Sequence, residues 1–258
     1  MFKLIQNELL KLHAKKGMYI LIGVIALLEI LGAIGIANWG EADSFSGSYL
    51  DFVIPNIDLI ILFATIFGIT TASRTITEEF QQGTIKQLLL RPRKRSTVLF
   101  SKYITVLLII LFIILASTLI AMIIGGIVMD GSNTELTLAI VLKIILYELV
   151  RPFFFATLAF FFGNVFRKSV LPLIITLLLL FMSHIVNIIM IKFSESKAKF
   201  VVFSHLDLKV YDNNNLISGD VTPPFADFNF SSSLLLVIVY FTILLVASSI
   251  LFEKRDVV

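Results

Sequence analysis

Cysteine is absent from the chain. That removes disulfides, thiolate catalysis and Cys-ligated zinc or iron–sulfur sites. Charge is scarce: 15% of residues are Asp, Glu, Lys or Arg, against about a quarter in a soluble domain. The histidines His13, His184 and His205 are too scattered to imply a metal site. No Gly-x-x-x-x-Gly-Lys-Ser/Thr loop is present, so the chain is not expected to hydrolyse ATP itself. Glu78 and Glu79 are adjacent carboxylates, but neighbours on a helix point apart and do not form a glycosidase-like pair. No nucleophile–base constellation is visible, and no catalytic or metal-ligating residue is assigned. A membrane enzyme would have to draw on Glu29, Glu148 and His184, whose spacing matches no catalytic pattern.

What the chain has in excess is apolar surface. Of its 258 residues, 58% are hydrophobic, and the mean hydropathy is +0.97. A core of this size cannot hide so much, so lipid is the natural solvent for the remainder. A spanning helix needs about 20 apolar residues. Six stretches qualify, at about 18–37, 52–73, 97–129, 138–162, 170–191 and 232–252. Gly35 and Ala37 raise the question of a cleaved signal peptide, but the first stretch exceeds the usual h-region of about 7–15 residues and reads as a retained helix.

The basic residues set the orientation. Of 21 Lys and Arg, four lie in 1–16, seven in 74–102, two at Arg167–Lys168 and two at Lys254–Arg255. These segments share one side if six spans alternate. The segment between Asn38 and Asp51 contains no Lys or Arg. The positive-inside rule then places both termini in the cytoplasm. The net charge of +3 is spent beside apolar spans, where anionic lipid headgroups are its natural partners; no nucleic-acid contact is expected.

The pattern therefore predicts an all-α membrane protein, read as a single transmembrane domain over 1–258. Its parts are six transmembrane helices, an N-terminal interfacial helix at 1–16, a cytoplasmic elbow at 74–96 between helices 2 and 3, and an outer segment at 192–230 between helices 5 and 6. In the leader, Phe2, Ile5, Leu9 and Leu12 recur at helical spacing among Lys and Asn, which suits a helix in the headgroup plane. Ala64, Gly68 and Ala72 make one smooth helix face, and Ser117, Ala121 and Gly125 another; such faces let helices approach closely in lipid. In the elbow, Ile76 and Phe80 form one short apolar face, Gly83 interrupts, and Ile85, Leu88 and Leu89 form a second. Two short helices with a bend would suit a groove on a partner protein, or would lie on lipid. Asn213–Asn215 and Pro223–Pro224 are turn signals in the outer segment, which is either a set of short helices over the outer mouth or an irregular loop.

Ionisable residues inside spans are costly, about 2.5–3.5 kcal/mol on insertion scales. Glu29 falls in the first span, and Glu148 and Arg151 in the fourth, three apart and able to pair. Ser183, His184 and Asn187 cluster along the fifth. These residues make either a polar seam along a pathway or helix–helix glue.

Several of these stretches carry a family resemblance. Asn7–Lys11, Glu78-Glu79-Phe80, Gly83-Thr84, Leu88–Leu90 with Arg91-Pro92, the short loop Gly163–Ser169 and His205–Leu208 are similar to segments of bacterial ABC-2 (type V exporter-like) permease subunits of the bacitracin and lantibiotic type. The resemblance implies a transport subunit of a bacterial cell membrane with no cofactor of its own. ATP and Mg would bind a separate ABC ATPase, two copies of which would act with this chain and a second permease half, identical or related. Glu78, Glu79, Phe80, Gly83, Thr84 and Leu88, together with Arg167 in the second loop, would contact that ATPase. Within this set Phe80 and Leu88 would anchor, Glu79 would supply charge and Gly83 would bend. The implied cargo is a hydrophobic peptide, antimicrobial or drug-like compound. Ion export past Glu29 and Glu148 is the alternative within the same family.

Overall fold

The computed structural model describes residues 1–39, 47–81, 95–129, 131, 136–166, 168–219 and 221–254, the side chains of Trp39, Glu79, Phe80 and Glu195 excepted. The described residues contain helices and no strand. Helix α1 spans Phe2–Ala14, α2 Gly17–Trp39, α3 Tyr49–Gln81, α4 Arg95–Val128, α5 Leu138–Glu148, α6 Val150–Val165 and α7 Val170–Phe193. A cap follows, built from α8 (Glu195–Ala198), two 3₁₀ turns (Val202–His205 and Lys209–Tyr211) and α9 (Asn215–Ser218). Helix α10 (Phe230–Lys254) ends the described chain.

Helices α2, α3, α4, α7 and α10 are each long and apolar enough to cross a membrane, and they match the first, second, third, fifth and sixth predicted spans. The stretch 138–162 differs, because it is two helices meeting at Leu149 rather than one. Pro152 accounts for the break. It has no N–H to offer the Glu148 carbonyl, and its ring crowds that carbonyl. In the first turn of a new helix neither defect matters, and that is where Pro152 sits in α6.

A second departure concerns the elbow. Residues 74–81 do not form a separate short helix; they prolong α3 to 33 residues. At 1.5 Å per residue α3 is about 50 Å long, well beyond the hydrocarbon thickness of about 30 Å. Ile76, expected on a partner-facing surface, is buried in the bundle instead. Residues 82–94 of the proposed elbow, including the bend at Gly83, lie outside the described residues, and Arg95 and Ser96 begin α4.

Contacts sort the helix ends onto two sides. Lys15 pairs with Glu78 and Glu8 with Lys102, which brings the end of α3 and the start of α4 to α1. Gly163 of α6 lies against the Ser73 carbonyl, and the Arg95 guanidinium donates to the Glu253 carbonyl. These ends make up the base. On the far side, Gly125 meets Tyr49, Tyr147 packs on Phe230, and the cap covers the end of α5 through Lys143–Asp212 and Lys209–Glu148.

Helices α3, α4 and α6 form the centre. Half of the most apolar stretch of α3 is buried, against 6% for α7. Both stripes of small residues lie in contacts. Ala64, Ala72, Ser117 and Ala121 are fully buried, Gly68 faces Ile110 and Ala156, and Gly125 faces Tyr49 and Phe52. Several threonine hydroxyls in the bundle are satisfied locally. Thr65, Thr77, Thr105, Thr157 and Thr176 each donate to the carbonyl four residues back, a bond that needs no water. Tyr103 and Thr157 also share a hydrogen bond of 2.8 Å between α4 and α6. At the start of α10, Asn229 and Ser232 exchange side-chain bonds with each other's backbone N–H. Asn229 thus caps α10 in a reciprocal capping box with Ser232.

A methyl group at Gly125 would lie 2.7 Å from the Tyr49 carbonyl oxygen, whereas one at Gly126 would meet nothing. Gly125→Ala is expected to destabilise the fold by about 1–3 kcal/mol through overpacking. Gly126→Ala is expected to be neutral or to stabilise by up to about 1 kcal/mol. Unfolding of the purified chain by titration with a denaturing detergent measures both.

Candidate functional site

Two regions gather charge on helices that are otherwise apolar. At the base, α1 carries its polar face against the ends of α3 and α4. Glu8 is shared between Lys11 at 3.1 Å and Lys102 at 3.0 Å. Lys102 is almost wholly buried, so its ammonium group requires that carboxylate. Lys15 reaches Glu78 at 2.6 Å, in the last turns of α3. Helix α1 therefore bridges the two helices between which residues 82–94 run.

Of the predicted coupling residues, Glu78 is thus placed, partly exposed and paired with Lys15. Glu79 and Phe80 occupy the end of α3 by their backbones. Gly83, Thr84, Leu88 and Arg167 lie outside the described residues.

The second region lies under the cap. Glu148 ends α5 with only 2% of its surface exposed, and its carboxylate pairs with Lys209 of the cap. Arg151 lies at 4.0 Å from the same carboxylate. The pairing expected within the helix is therefore present at its outer limit, and Lys209 is the closer partner. Lys209 also approaches Asp58 of α3 at 4.0 Å. Beside this group, Asp212 accepts from Lys143 at 2.7 Å and from the Tyr147 hydroxyl at 2.8 Å. Burial pushes the Lys209 ammonium down, but Glu148 above all, then Asp207 and Asp58, outweigh it, and the net shift is upward. Asp212 lies below the usual carboxylate range: burial raises it, and the Lys143, Asn214 backbone and Tyr147 hydrogen bonds lower it further.

The remaining predicted residues are dispersed. Glu29 is buried in the middle of α2, 1% exposed, and neither carboxylate oxygen has a hydrogen-bond partner among the described residues. His184 stands exposed on α7. Asn187 accepts from Ser204 of the cap at 3.0 Å, and Ser183 donates to its own helix. Ser183, His184 and Asn187 thus have separate surroundings and do not form one polar cluster.

Lys209, Asp58, Asp212, Glu8 and Lys102 were not singled out from the sequence. A signal existed for Lys209, because Glu148 in an apolar stretch requires a cation and Lys209 is the lone charge amid Leu208–Tyr211. His205 was noted as one of three scattered histidines and as the first residue of the stretch His205–Leu208, with no structural role assigned. It is fully buried, bridges the Lys199 carbonyl and the Ser233 hydroxyl at 2.9 Å each, and stacks beside Phe225 and Phe228. Burial lowers its pKa against the Lys199 bond, which raises it; the ring is a neutral strut between cap and α10.

A multi-pass helical membrane protein with no soluble domain among its described residues is the class this architecture defines. The profile of the ABC-2 family transporter proteins matches residues 4–183, and the chain belongs to that family as a transmembrane permease. It is 27% identical over 325 aligned positions to the uncharacterized protein YhcI of Bacillus subtilis (strain 168), covering 100% of this chain and 99% of that protein. It is 26% identical over 227 positions to the uncharacterized membrane protein YdbK of the same organism, covering 86% of this chain and 87% of the relative.

Lys209→Met would leave Glu148 buried with only the distant Arg151, and should cost on the order of 3 kcal/mol. Detergent-titration unfolding and protease cleavage within the cap report the loss. A lysine whose folded pKa is raised stabilises fully below its unfolded value and loses that stabilisation as pH rises through the folded value. The contribution is therefore expected to be constant at neutral pH and to fall only above pH 10.5, the ordinary value for the group.

Proposed function

We propose that this permease is one half of an ATP-driven exporter whose nucleotide chemistry resides on a separate ABC ATPase. Association with such an ATPase is typical of the family. In this reading the base is cytoplasmic, and α5 and α6 together make a sixth, broken crossing, so both termini face the cytoplasm. Two ATPase subunits engage residues 74–96 and the loop at Arg167 on two permease halves. ATP and Mg bind the ATPase, and this chain needs no cofactor.

The observation that carries the reading is the bracing of α3 and α4 by α1. A lever transmits force only if its root is stiff. Glu8–Lys102 and Lys15–Glu78 fix the roots of both helices that leave the bundle toward residues 82–94. The end of α3 then carries the backbone of Glu79 and Phe80 beyond the apolar part of the helix, on the side where a soluble partner would bind. An ATPase that binds one position of this lever more tightly than another would bias the pathway.

A second permease half is supported by α7. This helix is nearly uncovered by its own chain, yet its exposed surface includes His184. A histidine facing hydrocarbon would leave its ring nitrogens without partners; facing another protomer or a watered pathway, it would not.

The proposed cargo is a hydrophobic peptide or antimicrobial compound, in keeping with a bundle whose fixed charges are mostly paired. Ion export is the second reading, and Glu29 is the observation that favours it. Glu148 is already neutralised by Lys209, so Glu29 is the carboxylate left to meet an ion.

Phe80→Ala and Glu79→Ala are expected to leave membrane insertion and ATP hydrolysis by the co-purified ATPase intact while reducing transport about tenfold or more, a loss of about 1.4 kcal/mol of coupling. Normal transport in both variants would remove the lever. Glu29→Gln separates the cargo readings: loss of ion flux with peptide export preserved favours the ion, and the converse favours the peptide.

A further inference from the structure

The junction between α1 and α2 holds a feature that the transport reading does not use. A cavity of about 460 Å³ opens there, lined by His13, Ala14, Lys16, Tyr19 and Ile20. That volume lies within the range of about 300–1,000 Å³ typical of ligand clefts. Its chemistry is divided. Lys16 and His13 supply cationic or donor groups, and Ala14, Ile20 and the Tyr19 ring supply an apolar wall.

The charges around it are unequally committed. Lys11 pairs with Glu8 and Lys15 with Glu78. Lys16 is exposed, and no carboxylate pairs with it among the described residues. His13 is held by a 2.7 Å bond from Nδ1 to the Tyr19 hydroxyl and by an edge-on ring contact of 5.3 Å. Its Nε2 makes no hydrogen bond to the described residues, so one ring nitrogen is fixed and the other is available.

The backbone adds a cost. Lys16 has φ 55°, in the left-handed region, where a side chain with a Cβ is disfavoured by roughly 1–2 kcal/mol. Glycine would fit at less cost, and the chain spends the strain on a residue with an ammonium group. An αL residue is common just past a helix end, where glycine usually serves; here the position carries a lysine instead.

Above the cavity, Ile20, Val24, Leu27 and Leu31 are exposed along one face of α2. Their spacing of four, three and four residues makes a continuous apolar stripe leading away from Lys16 into the span. A soluble anion has no use for that stripe, whereas an acyl chain does. The cavity also lies where an amphipathic helix with exposed Phe2 and Leu10 meets the first span, at the level of the headgroups.

We propose that the α1–α2 junction is a binding site for one anionic phospholipid. Its phosphate meets Lys16 and His13 Nε2, its glycerol region rests on Tyr19, and one acyl chain follows Ile20 to Leu31. Residues 1–16 carry four lysines against the single acidic residue Glu8, a net positive charge that selects an anionic over a zwitterionic headgroup. The site needs only a membrane at the α1–α2 junction and stands apart from ATPase coupling.

The test is native mass spectrometry of the purified full-length chain titrated with phosphatidylglycerol, with phosphatidylcholine, and with phosphatidylglycerol in the presence of millimolar inorganic phosphate. One phosphatidylglycerol is expected to bind ahead of all others and to resist phosphate. Lys16→Gly, which the left-handed backbone accepts, is expected to weaken that first step about fivefold, the worth of one interfacial lysine. Lys16→Arg should retain the first step, and Ile20→Ser should weaken it. Equal binding of phosphatidylcholine, or unchanged affinity in Lys16→Gly, overturns the proposal. Displacement by phosphate overturns it in favour of a soluble-anion site.

Discussion

The ion pair between Glu148 and Lys209 is the constraint around which the far half of the structure is arranged. Pro152 ends α5 at Glu148 and so fixes the carboxylate at a helix break, inside an otherwise apolar bundle. A charge there is tolerated only with a counter-charge and hydrogen bonds. Among the described residues of the bundle core, Arg151 stands at 4.0 Å, too far to be the close partner. The cation comes from Lys209, which requires the segment between α7 and α10 to fold down over α5. Asp212 with Lys143 and Tyr147, and Asn187 with Ser204, then fasten the same segment at further points. The cap is a consequence of one buried carboxylate.

The base answers the same electrostatic demand differently. Lys102 is buried at the start of α4 and takes Glu8 from an amphipathic helix. One acidic residue in a leader otherwise rich in lysine thereby decides where α1 lies. Glu78 repeats the arrangement with Lys15. Between base and cap, no charge pair is needed, and small residues set the geometry. Gly68 and Gly125 let α3 and α4 approach to a distance that side chains would forbid.

Much of this was legible in the sequence, and the illegible part has a physical pattern. Apolar length identified α2, α3, α4, α7 and α10 because each is solvated by lipid and must satisfy its own backbone. The stripes Ala64–Gly68–Ala72 and Ser117–Ala121–Gly125 were readable because close packing leaves a period in the composition. The break at Leu149 was hidden in a stretch that is apolar throughout; Pro152 was visible, but its effect depends on whether it starts a helix or interrupts one. Continuation of α3 to Gln81 was missed because charge rises at Arg74 while the backbone stays helical. The ion pairs were least legible. Glu8–Lys102 and Glu148–Lys209 join residues far apart in the chain, and a sequence records the need for a partner without naming it. Glu29 was found from the sequence, and its carboxylate has no hydrogen-bond partner among the described residues.

These pieces form one mechanical chain. Lys15 and Glu78 tie α1 to the end of α3. Helix α3 packs along α6 through Gly163 against Ser73 at one level and Gly68 against Ala156 at another. The far end of α6 meets α5 at Glu148, and Glu148 holds Lys209 in the cap. Displacement of the α3 end therefore has a continuous path to the far side through rigid helices and two ion pairs. Continuity alone does not make a switch, since coupling requires an element with two arrangements. The α3–α6 contact is the element suited to this, because glycine and alanine on a smooth face resist sliding less than interlocked large side chains do. The ion pairs at either end are suited to the opposite task. They hold base and cap to their helices, and under the proposed lever they would leave the seam between them as the place that yields.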